Sequence, residues 1–140
     1  MAVAKDVLSA LTYLHENGIV HRDIKAANIL LEDSGRIRIG DFGVSGLLTE
    51  GAKGLVGSPY WMAPEVILNG TGDAKSDIWS FAVTIIELLR GHPPLWQLGP
   101  SKAMQAIPRS MPPRLEADEC SPELANIVHA CLHDDPSKVK

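Results

Sequence analysis

From Ser76 to Arg90 the chain offers water almost nothing. Ile78, Trp79, Phe81, Ala82, Val83, Ile85, Ile86, Leu88 and Leu89 fall on every side of a helix, and the apolar stretch Ile78 to Leu89 is broken by Thr84 and Glu87 besides the small Ser80. Ser76-Asp77 is a helix start signal, and Gly91 followed by Pro93-Pro94 is a stop signal, so a helix is expected over 76–91. A helix that is apolar all round belongs inside a protein, so the rest of the chain must be wrapped around this one. The stretch is too short and too interrupted to span a bilayer. At 140 residues the chain can build one core of this kind, and a single domain over 1–140 is expected.

The enclosing elements can be read in order. Val3, Ala4, Val7, Leu8, Leu11 and Leu14 recur at helical spacing and Asn17-Gly18 supplies a left-handed stop, which predicts a helix over 2–17. Residues 28–32 form a short strand, Asp33-Ser34-Gly35 a tight turn, and 36–39 the returning strand, with Ile37 and Ile39 alternating against Arg36 and Arg38. From 41 to 65 glycine, serine, threonine and proline dominate, and the segment is expected to be irregular. A short helix is expected over 101–107. A last helix opens at Ser121-Pro122, with Leu124, Ile127, Val128 and Cys131 as its apolar stripe. The fold class is mainly α: a helical bundle carrying one small β-hairpin.

Net charge is −4 and no basic run occurs, which argues against nucleic acid or an anionic membrane surface as partner. Cys120 and Cys131 lack a Cys-x-x-Cys pattern and are expected to be free thiols in a reducing compartment. Lys5 and Asp6 interrupt any signal-peptide core, so a cytoplasmic location is expected. The first helix is in full period directly after Met1 with no capping residue ahead of it, the pattern of a start inside a larger fold.

Two polar turns stand out against this frame. His21-Arg22-Asp23-Ile24-Lys25-Ala26-Ala27-Asn28 puts an acid, a base and an amide between the first helix and the hairpin, and Asp41-Phe42-Gly43 follows the hairpin. Further on come Gly57-Ser58-Pro59-Tyr60-Trp61-Met62-Ala63-Pro64-Glu65 and Asp77-Ile78-Trp79-Ser80. In order and spacing these four motifs resemble the C-terminal lobe of eukaryotic protein kinases, and the resemblance covers essentially the whole chain. Val56 through Glu65, Ala106-Ile107-Pro108 and Pro112-Pro113 are similar to the germinal-centre, sterile-20-like branch, which acts in signalling cascades.

The resemblance implies a protein serine/threonine kinase transferring the γ-phosphoryl group of ATP to protein hydroxyls. It implies a catalytic loop at 21–28 and an activation segment at 41–65. Asp23 would accept the hydroxyl proton and Lys25 would steady the migrating phosphoryl group. Asn28 and Asp41 would hold Mg2+, a hard ion suited to oxygen ligands, and Leu30 would floor the adenine pocket. His21 and Phe42 would be buried packing residues. Lys25 and Ser58 match the Ser/Thr class, while Leu55, Pro59 and Met62 match the pocket for an apolar residue after the phosphoacceptor. Asp77 would cap the buried helix and bind the backbone of the catalytic loop.

The chain also departs from the family pattern. No Gly-rich loop, strand lysine or helix glutamate of an N-terminal lobe is present, so this lobe alone is expected to be inactive. Arg22 would pair with an activation-loop phosphate, but Gly54 stands at the usual acceptor position, leaving Thr49 as a candidate acceptor and Glu50 as a fixed charge. Val139 stands where an arginine would pair with Glu65, with Lys138 or Lys140 as poor substitutes, and Ala82 replaces a glycine. His129 and His133 have a metal-ligand spacing but no third ligand, and are assigned to a helix face. The competing function class is a truncated or pseudokinase-like lobe serving as a non-catalytic docking module. Intact Asp23, Lys25, Asn28 and Asp41 argue against it.

Overall fold

The computed structural model describes residues 2–42, 45–47, 56–133 and 135–138. Its elements are α1 (Ala2–Glu16), β1 (Ile19–Val20), β2 (Ile29–Leu31), β3 (Ile37–Ile39), β4 (Gly46–Leu47), α2 (Pro64–Asn69), α3 (Ala74–Arg90), α4 (Pro100–Ala106) and α5 (Pro122–Cys131). Single 3-10 turns at Ala26–Asn28, Pro59–Trp61 and Ile107–Arg109 join them. Helices dominate, as expected. The expectations for Gly43, Thr49, Glu50, Gly54, Leu55, Val139 and Lys140 lie outside the described residues.

Helix α3 is the centre of the molecule. Phe81, Ala82, Ile85, Ile86 and Thr84 have no exposed surface at all, and Trp79 and Val83 have almost none. The helix begins two residues earlier than the Ser76-Asp77 signal implied. Asp73 is its N-cap, accepting from the Lys75 and Ser76 backbone N–H groups at 2.8 and 3.3 Å, so the first-turn Asp77 is free of capping duty. Gly91, at φ 85°, ends it as expected. Burial is not uniform to the end: Leu88 and Leu89 in the last turn are exposed, while Ile86 is sealed.

Around α3, helix α1 contributes Ala4, Val7, Leu11 and Leu14, and α5 contributes Val128 and Cys131. Burial pushes the Cys131 thiol up to about 11, so it is a protonated packing group. Ile127, placed on the buried stripe by periodicity, is nearly half exposed. Ser121 caps α5 by accepting from Leu124 N–H. Arg90 at the end of α3 binds Glu119 bidentately and donates to the Arg114 carbonyl at 2.8 Å, tying α3 to the segment before α5. That guanidinium holds the Glu119 carboxyl down at about 2.

The strands form two small antiparallel pairs. β2 and β3 pair Ile29 with Ile39 and Leu31 with Ile37, the expected hairpin. β1 and β4 pair Ile19 with Leu47 and Val20 with Gly46, so the segment read as irregular contains a strand tied back to the start of the loop at 21–28. It also contains the turn Pro59–Trp61 and the beginning of α2. Among the described residues no helix is long and apolar enough to cross a membrane.

Glu65, in the first turn of α2, is half-buried, and among the described residues no cation lies within ion-pairing distance of it. Burial raises its carboxyl above the ordinary 4.5, with the nearby Asp73 adding to the effect and a backbone hydrogen bond opposing it. A raised carboxyl favours the fold fully below the unfolded-state value and loses that contribution as pH rises through the folded value. Glu65→Gln is therefore expected to melt a few degrees higher than the parent at pH 7. The advantage should vanish below pH 4.5, where both side chains are neutral. Thermal unfolding at both pH values is the check, and equal melting at pH 7 would contradict it.

Candidate active site

The loop at 21–28 is suspended from α3 by a sealed carboxylate. Asp77 is 1% exposed, and its Oδ2 accepts from His21 N–H at 2.8 Å and from His15 Nε2 at 2.9 Å, while its Oδ1 accepts from Arg22 N–H at 2.9 Å. Ionised carboxylates inside proteins persist only where donors replace the lost water, and here three do so. The side chain thus binds the loop backbone as anticipated, whereas the capping role anticipated for it belongs to Asp73.

His21 continues the network. Its Nδ1 accepts from Asp23 N–H at 3.1 Å, which leaves the proton on Nε2 to be donated to the Gly40 carbonyl at 2.8 Å. A fully buried imidazole thereby links the catalytic loop to the end of the hairpin. Phe42 stacks edge-on against it at 4.9 Å, yet Phe42 is 46% exposed, so the expectation of a buried position fails for Phe42 and holds for His21. One flank of the ring touches His21, and that contact leaves much of its surface to solvent.

Arg22 takes a left-handed backbone, φ 71°, costly for a residue with a long side chain. Gly57 explains how the segment after it fits: a Cβ there would lie 2.6 Å from the Arg22 carbonyl oxygen, and its φ is 118°. Only glycine lets the Gly57–Ser58 backbone come this close to the catalytic loop.

That approach assembles a polar cluster. Ser58 Oγ donates to Asp23 Oδ1 at 2.8 Å and accepts from Lys25 Nζ at 2.7 Å. Lys25 Nζ is 3.7 Å from Asp23 Oδ2 and 5.8 Å from the centre of the Trp61 ring. Asn28, buried at the end of the loop, donates its amide N–H to the Asp23 carbonyl at 2.7 Å and to Asp23 Oδ2 at 3.3 Å. Its nitrogen is thus committed, leaving the side-chain oxygen as the atom to offer a cation.

The hairpin brings in the second acid. Gly40 N–H donates to the Asn28 carbonyl at 2.8 Å, closing the strands so that Asp41 is the next residue beyond Asn28's neighbour. Asp41 is exposed, with φ 56°. Leu30 is half exposed on β2, Met62 is buried, and Pro59 begins the turn that carries Trp61.

Asp23, Lys25, Asn28 and Ser58 are thus joined by direct hydrogen bonds, and Asp41 directly follows Gly40, which is bonded to the Asn28 backbone. Arg22 and Asp77 are joined to each other through the Arg22 backbone N–H, one residue before Asp23. Glu65 stands apart from it. Two important groups carried no motif signal. His15 lies on α1, and Glu87 on α3 holds Ala26 N–H at 3.0 Å and Trp61 Nε1 at 2.9 Å with one oxygen, Oε2. A carboxylate interrupting an otherwise apolar helix was the available hint for Glu87.

Residues 1–138 match the protein kinase domain model. The chain belongs to the protein kinase domain family. Among its relatives, the Dictyostelium discoideum serine/threonine-protein kinase dst2 is 45% identical over 99% of this chain and 13% of its own length. The Xenopus laevis serine/threonine-protein kinase TAO1-B is 41% identical over 96% of this chain and 14% of its own length. The rat Misshapen-like kinase 1 is 41% identical over 93% of this chain and 10% of its own length. These relatives agree with the sterile-20-like resemblance read from Val56 to Glu65. The chain spans about an eighth of the length of the first relatives it matches.

In this kinase lobe, Asp77→Ala would leave three donors without an acceptor. At roughly 1 to 3 kcal/mol for each buried unsatisfied group, the substitution should cost several kcal/mol. A lowered urea midpoint and rapid tryptic cleavage after Arg22 and Lys25 are the expected outcomes. Parent-like protease resistance would refute the suspension of the loop from α3.

Proposed function

We propose that this lobe is the substrate-binding and catalytic half of an ATP-dependent protein serine/threonine kinase. The observation that carries the reading is the serine bridge, Ser58 Oγ between Asp23 Oδ1 and Lys25 Nζ. It ties the acid and the cation of the catalytic loop to the segment that would receive the substrate peptide. A merely structural lobe has no use for such a link.

Phosphoryl transfer needs an aligned hydroxyl and charge compensation rather than covalent chemistry by the protein. Asp23 orients the substrate hydroxyl and takes its proton as the oxygen attacks phosphorus. Lys25 stays between Asp23 and the transferred group, and its ammonium offsets charge on the phosphoryl oxygens. Ser58 fixes the distance between the two. Asn28 and Asp41 supply the hard oxygen donors that suit Mg2+, and the ion, when bound, neutralises the nucleotide phosphates. Leu30, half exposed beside them, offers an apolar surface to the adenine ring.

Met62 and Pro59 favour an apolar residue after the phosphoacceptor. Cytoplasmic signalling is the setting that the free thiols and the sterile-20-like resemblance support. The sequence holds no Gly-rich loop or strand lysine, so the reading assigns the activity to this lobe together with a nucleotide-binding lobe that carries them.

The test is transfer of radiolabelled γ-phosphate to serine, threonine and tyrosine peptides by the two-lobed protein. Serine or threonine peptides should be labelled and tyrosine peptides should not. Asp23→Asn should lower kcat by about a hundred- to ten-thousand-fold, the range for loss of a general base. Ser58→Ala should lower kcat/KM by about tenfold, in line with two lost hydrogen bonds, and Ser58→Thr should restore it. An Asp23→Asn protein with full activity would end this reading.

A further inference from the structure

We propose that Glu87 is a positioning residue that sets the segment at 56–62, here the substrate loop, in register with the catalytic loop at 21–28, an inference that rests on the kinase reading above. Its Oε2 accepts from two donors at once: the backbone N–H of Ala26 at 3.0 Å, in the catalytic loop, and the indole Nε1–H of Trp61 at 2.9 Å, in the substrate loop. Ala26 follows Lys25 directly, and Trp61 lies three residues after Ser58, the partner of Lys25. The bonds therefore close a ring: Glu87 to Ala26, Lys25 to Ser58, and back through Pro59–Trp61 to Glu87. A second tie reinforces it, since Ser80 Oγ on the same helix donates to the Trp61 carbonyl at 2.7 Å.

The placement explains why the register needs this residue. Asp77 and Glu87 are ten residues apart on α3, about 15 Å along the axis at 1.5 Å per residue. Asp77 fixes the first residues of the catalytic loop, and Glu87 fixes its last turn. Among the described residues, the hydrogen bonds of Asp77 reach none in the substrate loop, whereas Glu87 binds both loops through one atom. Displacing either donor changes what the shared oxygen offers the other. The Ala26 arm also depends on residue type, because a proline there would have no N–H to give. Lys25 is extended, with φ −162° and ψ 164°, the conformation adopted before proline, and Ala26 opens a 3-10 turn, where proline's ring fits. Ala26→Pro thus deletes one arm with the backbone path kept.

The experiment uses the two-lobed protein with a serine peptide. Glu87→Ala should raise the peptide KM about tenfold while the ATP KM moves less than twofold, since none of its bonds reaches Asn28 or Asp41. Glu87→Gln, which keeps an acceptor oxygen, should restore most of the peptide affinity. Trp61→Phe should add nothing in the Glu87→Ala background. A peptide KM unchanged in Glu87→Ala, or a fall in kcat alone with both KM values unchanged, would overturn the proposal. The shared oxygen is read separately by labelling tryptophan with 15N, the Trp61 signal being assigned by its loss in Trp61→Phe. Ala26→Pro should shift the Trp61 indole N–H resonance, and an unmoved resonance would overturn the coupling whatever the activity. A parent protein that labels no peptide, with that resonance still shifting, would instead fault the kinase reading.

Discussion

A carboxylate with almost no exposed surface organises this lobe. Removing an ion such as Asp77 from water costs several kcal/mol even after relaxation, and its hydrogen bonds must offset that cost. Bonds to an ionised acceptor contribute roughly 1.5 to 3 kcal/mol each, and Asp77 receives them from two backbone N–H groups and an imidazole. The balance closes only if the catalytic loop adopts the backbone seen, including the left-handed Arg22. Strain in the loop and desolvation of the carboxylate are therefore two sides of one arrangement. Because α3 is enclosed on nearly every side, the carboxylate is fixed to the least mobile part of the molecule.

From that anchor the remaining groups are placed by backbone contacts rather than by long side chains. His21 carries the position of the loop to Gly40, Gly40 binds Asn28, and the hairpin follows. Gly57 lies against the Arg22 carbonyl with no room for a Cβ, so the substrate segment is held at van der Waals distance from the loop. The β1–β4 pairing returns the chain after Phe42 to the strand that leads into the loop. Backbone contacts of this kind have few degrees of freedom to lose, and they bring the two segments close enough for the side chains of Asp23, Lys25 and Ser58 to bond to one another.

Local pattern made much of this legible. Periodicity located α1, α3 and α5, turn chemistry located the hairpin, and motif order pointed to the cluster of Asp23, Lys25, Asn28 and Ser58. What escaped was non-local. Asp73 and Asp77 are equally good capping residues by type, and which of them caps is decided by the donors that the catalytic loop presents to Asp77. Ile127 and Phe42 are correctly apolar for their elements, but a spacing rule cannot say which neighbour covers a face. The strand at Gly46–Leu47 has no strand-like sequence and exists through its pairing with Ile19–Val20. His15 and Glu87 bond to residues 62 and up to 61 positions away, respectively, a separation at which no spacing rule operates.

The two carboxylates of α3 are not equivalent, and the difference has a physical consequence. Asp77 is sealed, so salt and solvent hardly reach its bonds, and any change in its partners must be met by unfolding. Glu87 is partly exposed, on the side where the helix leaves the core, and one of its two donors belongs to a side chain that can be exchanged without moving backbone. A partly solvated acceptor loses less when a donor is removed, because water can take the vacated place. The start of the catalytic loop is thus held rigidly, while its last turn and the substrate loop are held by a bond that tolerates variation. Changes of residue at 26 and 61 can then alter how the segment at 56–62 sits against the loop at 21–28 and leave the support of Asp23 itself intact.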